Sequence, residues 1–249
     1  MSYLKRLSHI LFKTNLPKTL WLNFKMLPFQ QARKLPIYIY GRMQFKDLSG
    51  KIILDADKIS SGMIKVGKHD FYIATSVQRT QWNIVGTMVF KGPVKFLQGS
   101  YILVAGNATL EIGGDEGVFG TNLRIFCFDH IVLGKNVRMA WDGQIMDSSF
   151  HYIELQNKDN LVKPLTKPIV IGDNVWIGNR TTISKGTVLP DHTIVASNSM
   201  VNKDFSELGP DCMLAGAPAV FKASGCHRIF DTQRERELDK QFNYTRTHL

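Results

Sequence analysis

From residue 169 the chain runs IVIGDNVWIGNRTTISKGTVLPDHTIVASNSMV, and every sixth place in it is aliphatic: Ile171, Ile177, Ile183, Leu189, Val195 and Val201. Two residues before each stand Ile169, Val175, Thr181, Thr187, Thr193 and Ser199, β-branched in all but the last. A period of six matches neither the helical repeat of 3.6 nor the strand alternation of two. It marks a solenoid in which each hexad makes one short strand and three hexads close a triangular coil. Coils stack at the inter-strand spacing of about 4.8 Å, with the aliphatic residue of each hexad directed at the prism axis. Each such burial contributes about 1.5–3 kcal/mol before chain entropy is subtracted. The expectation is an all-β, parallel β-helix.

The same register continues upstream in weaker form. Leu133, Met139 and Ile145 are six apart, as are Ile84, Phe90, Phe96, Ile102 and Ala108, with Met88 and Val94 in the second register. Between about 109 and 130 no single phase holds, although Thr121, Cys127 and Leu133 can be threaded. Ile145 and Ile171 are 26 residues apart, which is not a multiple of six. The segment SSFHYIELQNKDNLVKPLTKP, residues 148–168, is therefore looped out, and it is polar and proline-bearing where the coils are not. A loop extruded from a rigid scaffold is a natural seat for chemistry.

The net charge of +10 is concentrated at one end. Residues 1–46 carry nine Lys and Arg and no Asp or Glu; the first acid is Asp47. The same stretch holds Leu4, Leu7, Ile10, Leu11, Trp21, Leu22, Phe24, Leu27 and Phe29 at spacings that predict short amphipathic helices. Such helices can cap the open end of a solenoid. They can also lie on an anionic inner-membrane surface, where each basic residue is worth about 1 kcal/mol. Nucleic acid is not expected, because no recognised binding motif accompanies the charge. Three cysteines without metal spacing read as reduced thiols of a cytoplasmic protein, with Cys127 on a core register position. No run of about 18 apolar residues predicts a membrane span, and the first residues lack a cleavage site, so no signal peptide is expected. The predicted organisation is a basic amphipathic segment over 1–46, a β-helix over 47–222 with the loop at about 148–168, and a helical tail over 223–249, where RIFDTQRERELDKQF is strongly charged.

The hexads followed by NKDF and MLAGAPAVF resemble the left-handed β-helix, or hexapeptide-repeat, acyltransferases. The segment MAWDGQIMDSSFHYI is similar to the stretch around the catalytic histidine in the branch that modifies capsular, colanic-acid and lipopolysaccharide sugars, and LPKTLWLNFKMLPFQQARKLPIYIYG looks like the leader of its capsule-type members. Together these cover almost the whole chain. The resemblance implies a left-handed coil and a homotrimer with sites in the clefts between prisms. It also implies transfer of an acetyl group from acetyl-CoA to a hydroxyl of a sugar or surface-polysaccharide intermediate, with no metal.

Acyl transfer to a hydroxyl requires a base to take the proton, and imidazole suits that role near neutral pH. His151 matches the family's catalytic histidine and sits where the register breaks. Asp147 falls in the aspartate-bearing stretch that holds the histidine or the acceptor in relatives, whereas Ser149 stands where many have a second aspartate. Trp141 and Asp142 match an aromatic–acidic pair that binds the acceptor. By the same resemblance, the Asn179 backbone N–H is the donor to the thioester oxygen. Ser197, Lys203 and Lys222 match coenzyme A-binding positions. His192, at a turn between hexads, is expected to be structural. An amino-sugar N-acetyltransferase and a noncatalytic membrane-associated scaffold are the competing readings. A zinc-dependent γ-carbonic anhydrase shares the fold, but no histidine trio is evident on the coils.

Overall fold

The computed structural model describes residues 11–69, 75–158 and 161–244. Expectations placed on Leu4, Leu7 and Ile10 lie outside the described residues. Three parallel sheets form the faces of a prism. The first face begins at Ile37–Ile39 and Ile64–Lys68, the second at Met43–Phe45 and Thr80–Ile84, the third at Lys51–Leu54 and Thr87–Phe90. Each strand pairs with the strand one coil later, as Ile37 with Ile64, Met43 with Thr80 and Lys51 with Thr87. The corner between the first and second faces is termed the first corner; the second and third follow in chain order. The prism thus starts at Ile37, inside the basic segment expected to end at residue 46.

All twelve residues of the two C-terminal registers, from Ile169 to Val201, are buried. Here Ile177 lies beside Val195 and Ile183 beside Val201, a coil of 18 residues or three hexads. The threonines of the second register bury their hydroxyls against backbone carbonyls: Thr187 donates to Ser184 at 2.7 Å and Thr193 to Pro190 at 2.7 Å. That satisfies polar groups that would otherwise be costly inside.

Earlier coils are longer. Phe96 lies beside Phe119 and Phe119 beside Met139, steps of 23 and 20 residues. On successive faces the inward residues are Val94, Ile102 and Leu110, spaced by eight. The sixfold series from Ile84 therefore slides from one inward column to the other and loses phase after Ala108. The longer sides enclose rings that hexads could not. Trp82, Phe90, Phe96 and Phe119 are fully buried, with Phe96 stacked on Phe119 at 5.1 Å and meeting Trp82 edge-on at 6.3 Å.

The N-terminal end is closed by α1 (Leu16–Met26), followed by the short α2 (Phe29–Ala32). An exposed edge strand is a template for unwanted pairing. Here α1 covers it with side-chain hydrogen bonds. The Asn23 amide accepts from the Ile37 N–H at 3.1 Å and donates to the Ile37 carbonyl at 2.8 Å. The Thr19 hydroxyl accepts from the Ile39 N–H at 3.1 Å. At the other end Cys212–Gly216 pairs in parallel with Ile194–Val195 and then antiparallel with Ala219–Ser224, which ends the solenoid. Beyond it lies a charged C-terminal helix, α3 (Thr232–Gln241), as the sequence led one to expect, and a short 3-10 turn at Ser206–Leu208 precedes Cys212–Gly216.

Candidate active site

The looped-out segment is an antiparallel hairpin, Ile153–Leu155 with Leu161–Lys163, that leaves the fifth coil at the second corner. Its base is closed by a bridge between Ser148 and Thr166 and by the Ser149 N–H donating to the Leu165 carbonyl at 3.0 Å. Lys185, one coil later, clamps that base: its ammonium donates to the Ser149 hydroxyl at 2.9 Å and to the Pro164 and Leu165 carbonyls. The Ser149 hydroxyl in turn lies 3.1 Å from the His151 carbonyl. The serine that replaces the expected second aspartate thus holds the main chain beside His151.

His151 is exposed at the start of the hairpin. The residue before it, Phe150, has φ of +60°, a conformation unusual for a bulky side chain and costing of order 1–3 kcal/mol. Edge-on packing of its ring against Phe126 at 5.7 Å and Phe128 at 5.1 Å holds it there. Neither Phe150 nor Lys185 carried a signal in the sequence. One depends on a backbone angle, the other on a neighbour 36 residues away.

Asp147 is fully buried. Its two carboxylate oxygens accept from the Phe128 N–H at 2.8 Å and the Asp129 N–H at 2.9 Å, stapling the fifth coil to the corner of the fourth. Burial pushes its pKa up, opposed by those two hydrogen bonds. Burial, and then the nearby Asp147 charge, pushes the Cys127 thiol well above its usual range. Cys127 therefore stays a protonated core residue rather than a nucleophile.

Trp141, Asp142, Asn179 and Ser197 stack along the first corner. The Asp142 carboxylate accepts from the Asn122 amide at 2.9 Å, and the Asn122 carbonyl oxygen accepts from the Ser76 hydroxyl at 2.5 Å. The Ser197 hydroxyl donates to the Asn179 side chain at 2.5 Å. Beside this ladder a polar cavity of about 190 Å³ is lined by Gln78, Asn122, Arg124, Asp142 and Gln144. At the third corner, aspartate side chains take the outward N–H groups: Asp173 accepts from Lys135 and Asp191 from Asp173. At the first corner, Gly178 and Arg180 donate to Val195 and Trp141, whereas the Asn179 N–H between them meets no acceptor among the described residues. A main-chain donor is therefore available to an outside oxygen.

Lys203 lies at the second corner, where its carbonyl accepts from the Val188 N–H, and Lys222 is exposed on the closing strand Ala219–Ser224. His192 packs on His227 at the third corner, and His227 pairs with Asp211 at 3.0 Å. That cluster is remote in the coil from both other corners. Among the described residues no group of three or more His, Cys, Asp or Glu is placed to hold a metal.

Apart from Lys222, the predicted site residues thus occupy two columns, one on each edge of the second face. Asp142 and Asp147 are separated by the strand Gln144–Met146, which at about 3.3 Å per residue sets the columns roughly 15 Å apart.

The prism matches solved structures over most of its length. It superimposes on the polysialic acid O-acetyltransferase OatWY with a TM-score of 0.52 at 18% identity, over 81% of this chain and 100% of that one. The polySia-specific acetyltransferase NeuO gives 0.51 at 18% identity, over 83% and 95%. This likeness is one of fold. In sequence, the chain is 30% identical over 90 residues to galactoside O-acetyltransferase of Escherichia coli K12, 36% of this chain and 39% of that protein. The chain shares the fold of these proteins and, over part of its length, resembles a galactoside O-acetyltransferase in sequence. A further match, 25% identical over 114 residues, is the E. coli K12 protein WbbJ, named for lipopolysaccharide biosynthesis O-acetyl transfer. The match spans 41% of this chain and 57% of WbbJ. The chain therefore spans between about two fifths and three fifths of these relatives' lengths. No family model matches it.

Proposed function

We propose that the chain is an acetyl-CoA-dependent O-acetyltransferase acting on a sugar or polysaccharide hydroxyl, with a site built between copies of a homotrimer. The observation that carries this reading is the division of the chemistry between two corners. His151 is an exposed imidazole held on a clamped base at the second corner. Asn179 presents an open N–H at the first. General base and oxyanion donor must both lie about 3 Å from the reacting atoms, and a separation of roughly 15 Å within one prism forbids that. A threefold assembly brings the second corner of one prism against the first corner of the next.

In that cleft His151 takes the proton of the acceptor hydroxyl as its oxygen attacks the thioester carbonyl. The Asn179 N–H donates to the carbonyl oxygen as negative charge gathers there. The C–S bond breaks and the sulfur leaves with a proton returned by the imidazole. The polar cavity lined by Asp142, with the exposed Trp141 next to Asp142 in the chain, suits a sugar ring. Asn179 and Ser197 fit the pantetheine arm because both are small and polar and lie beside an open main-chain donor. Lys203 and Lys222 are exposed cations within the family's phosphate-binding positions. Asp147 acts through the fold of the corner, fixing where the hairpin departs.

Complementation tests the shared site. His151→Ala and Ser197→Trp are each expected to be inactive. Randomly mixed trimers of the two should recover about a quarter of wild-type turnover, because one site in four then pairs an intact His151 with an intact first corner. Failure to recover activity in trimers proven to be mixed would contradict a site formed between chains.

A further inference from the structure

The N-terminal cap is amphipathic in an inverted sense. α1 turns Thr19 and Asn23 inward with Leu22, all fully buried, and leaves Leu20, Trp21 and Phe24 between 40% and 49% exposed. Phe29, which begins α2, is 65% exposed and lies 6.1 Å from the Phe24 ring. Hydrogen bonding to the first strand explains the inward polar pair. The prism engages only part of the outward apolar group: the Trp21 ring packs on Phe45 at 5.1 Å and still stays 49% exposed. The group forms a contiguous patch on the end of the solenoid, and such patches mark interaction sites.

The segment that carries the patch is basic, and the nearest acid in sequence, Asp47, lies close enough to Lys25 for the two charges to interact. Lys13, Lys25, Arg33 and Lys34 are exposed around it, and no acid occurs before Asp47. The Lys25 ammonium sits 5.8 Å from the Trp21 ring, so charge and aromatic face are adjacent. Lys18 is the exception, its ammonium being drawn to the Met43 carbonyl. Among the described residues no helix is long and apolar enough to cross a membrane. Aromatic residues ringed by Lys and Arg on a surface helix are the composition of an element that lies in a bilayer interface, rings at headgroup depth and cations against anionic lipid.

We infer that the end of the prism capped by α1 docks on an anionic phospholipid surface through Leu20, Trp21, Phe24 and Phe29, steered by Lys13, Lys25, Arg33 and Lys34. The patch is on the outer side of the cap, away from both corner columns, and the inference does not depend on the acetyl-transfer reading.

Vesicle flotation of the full chain tests it, with phosphatidylcholine alone against phosphatidylcholine mixed with phosphatidylglycerol. The wild type is expected to float with the mixed vesicles and to be released by salt. Lys25→Ala with Lys34→Ala should weaken binding roughly 25-fold, about fivefold for each charge. Phe24→Ser with Phe29→Ser should abolish flotation, while its thermal midpoint and thiol release in free solution match the wild type. The inference is overturned if the wild type stays with soluble protein, if it binds neutral and anionic vesicles alike, or if the serine variant floats as well as the wild type. It is also overturned if the serine substitutions lower the oligomeric mass in solution, because the patch would then be covered by a second copy.

Discussion

Replacing His151 by alanine is expected to lower acetyl transfer roughly 10²–10⁴-fold, the range for loss of a positioned general base. Acetyl-CoA binding and oligomeric mass should be unchanged. The ring is exposed, and the hydrogen bond recorded at this residue is made by its carbonyl, which alanine keeps. Lys185, Ser149 and the Phe150 ring would still hold the hairpin base. The loss should therefore appear in turnover, with donor affinity preserved, as for an interaction made in the transition state alone. A variant that folds, assembles and turns over like the wild type would remove the base from the mechanism.

The second large effect concerns stability. Phe96→Ala should cost about 3–5 kcal/mol in denaturant unfolding. The Phe96 ring touches Phe119 on the next coil and the rings of Trp82 and Phe90 on the coil before, so truncation opens a cavity shared by three coils. Val195→Ala, in an 18-residue coil, removes less volume and should cost clearly less. Because a solenoid is stabilised coil against coil, the Phe96 lesion should loosen the N-terminal coils first, as hydrogen exchange would reveal. A loss below about 1 kcal/mol would contradict the aromatic stack as the core of the wide coils.

How much was legible followed from how regular each part is. Between 169 and 201 the coil is three hexads, and both sequence registers coincide with buried columns. Between 94 and 112 the sides are eight residues long, and a sixfold count hits buried residues such as Ile102 and Ala108 while drifting across columns. The step of 26 between Ile145 and Ile171 located the extrusion, but nothing in the segment declared a hairpin. The first coil was hidden because Ile37–Ile39 lies among basic residues whose charge suggested a separate segment.

For the candidate site the sequence offered a set of residues and not a geometry. Resemblance drew attention to His151, Asp147, Trp141, Asp142, Asn179 and Ser197. Their division between two corners follows from which strand each one precedes or follows, and that requires the coil. The carboxylate of Asp147 is turned to Phe128 and Asp129 because those N–H groups lie one coil below it, a relation without local sequence signal. The clamp by Lys185 is of the same kind. Each is a contact between residues at matching corners of successive coils, 18 to 36 positions apart in sequence.

The central claim is that this prism transfers an acetyl group from acetyl-CoA. Its most direct test is calorimetric titration of acetyl-CoA into the wild-type protein with thiol release followed in parallel against a panel of sugars and glycans. The account predicts binding together with acceptor-dependent thiol release. A wild-type protein that neither binds acetyl-CoA nor releases thiol with any acceptor would contradict it.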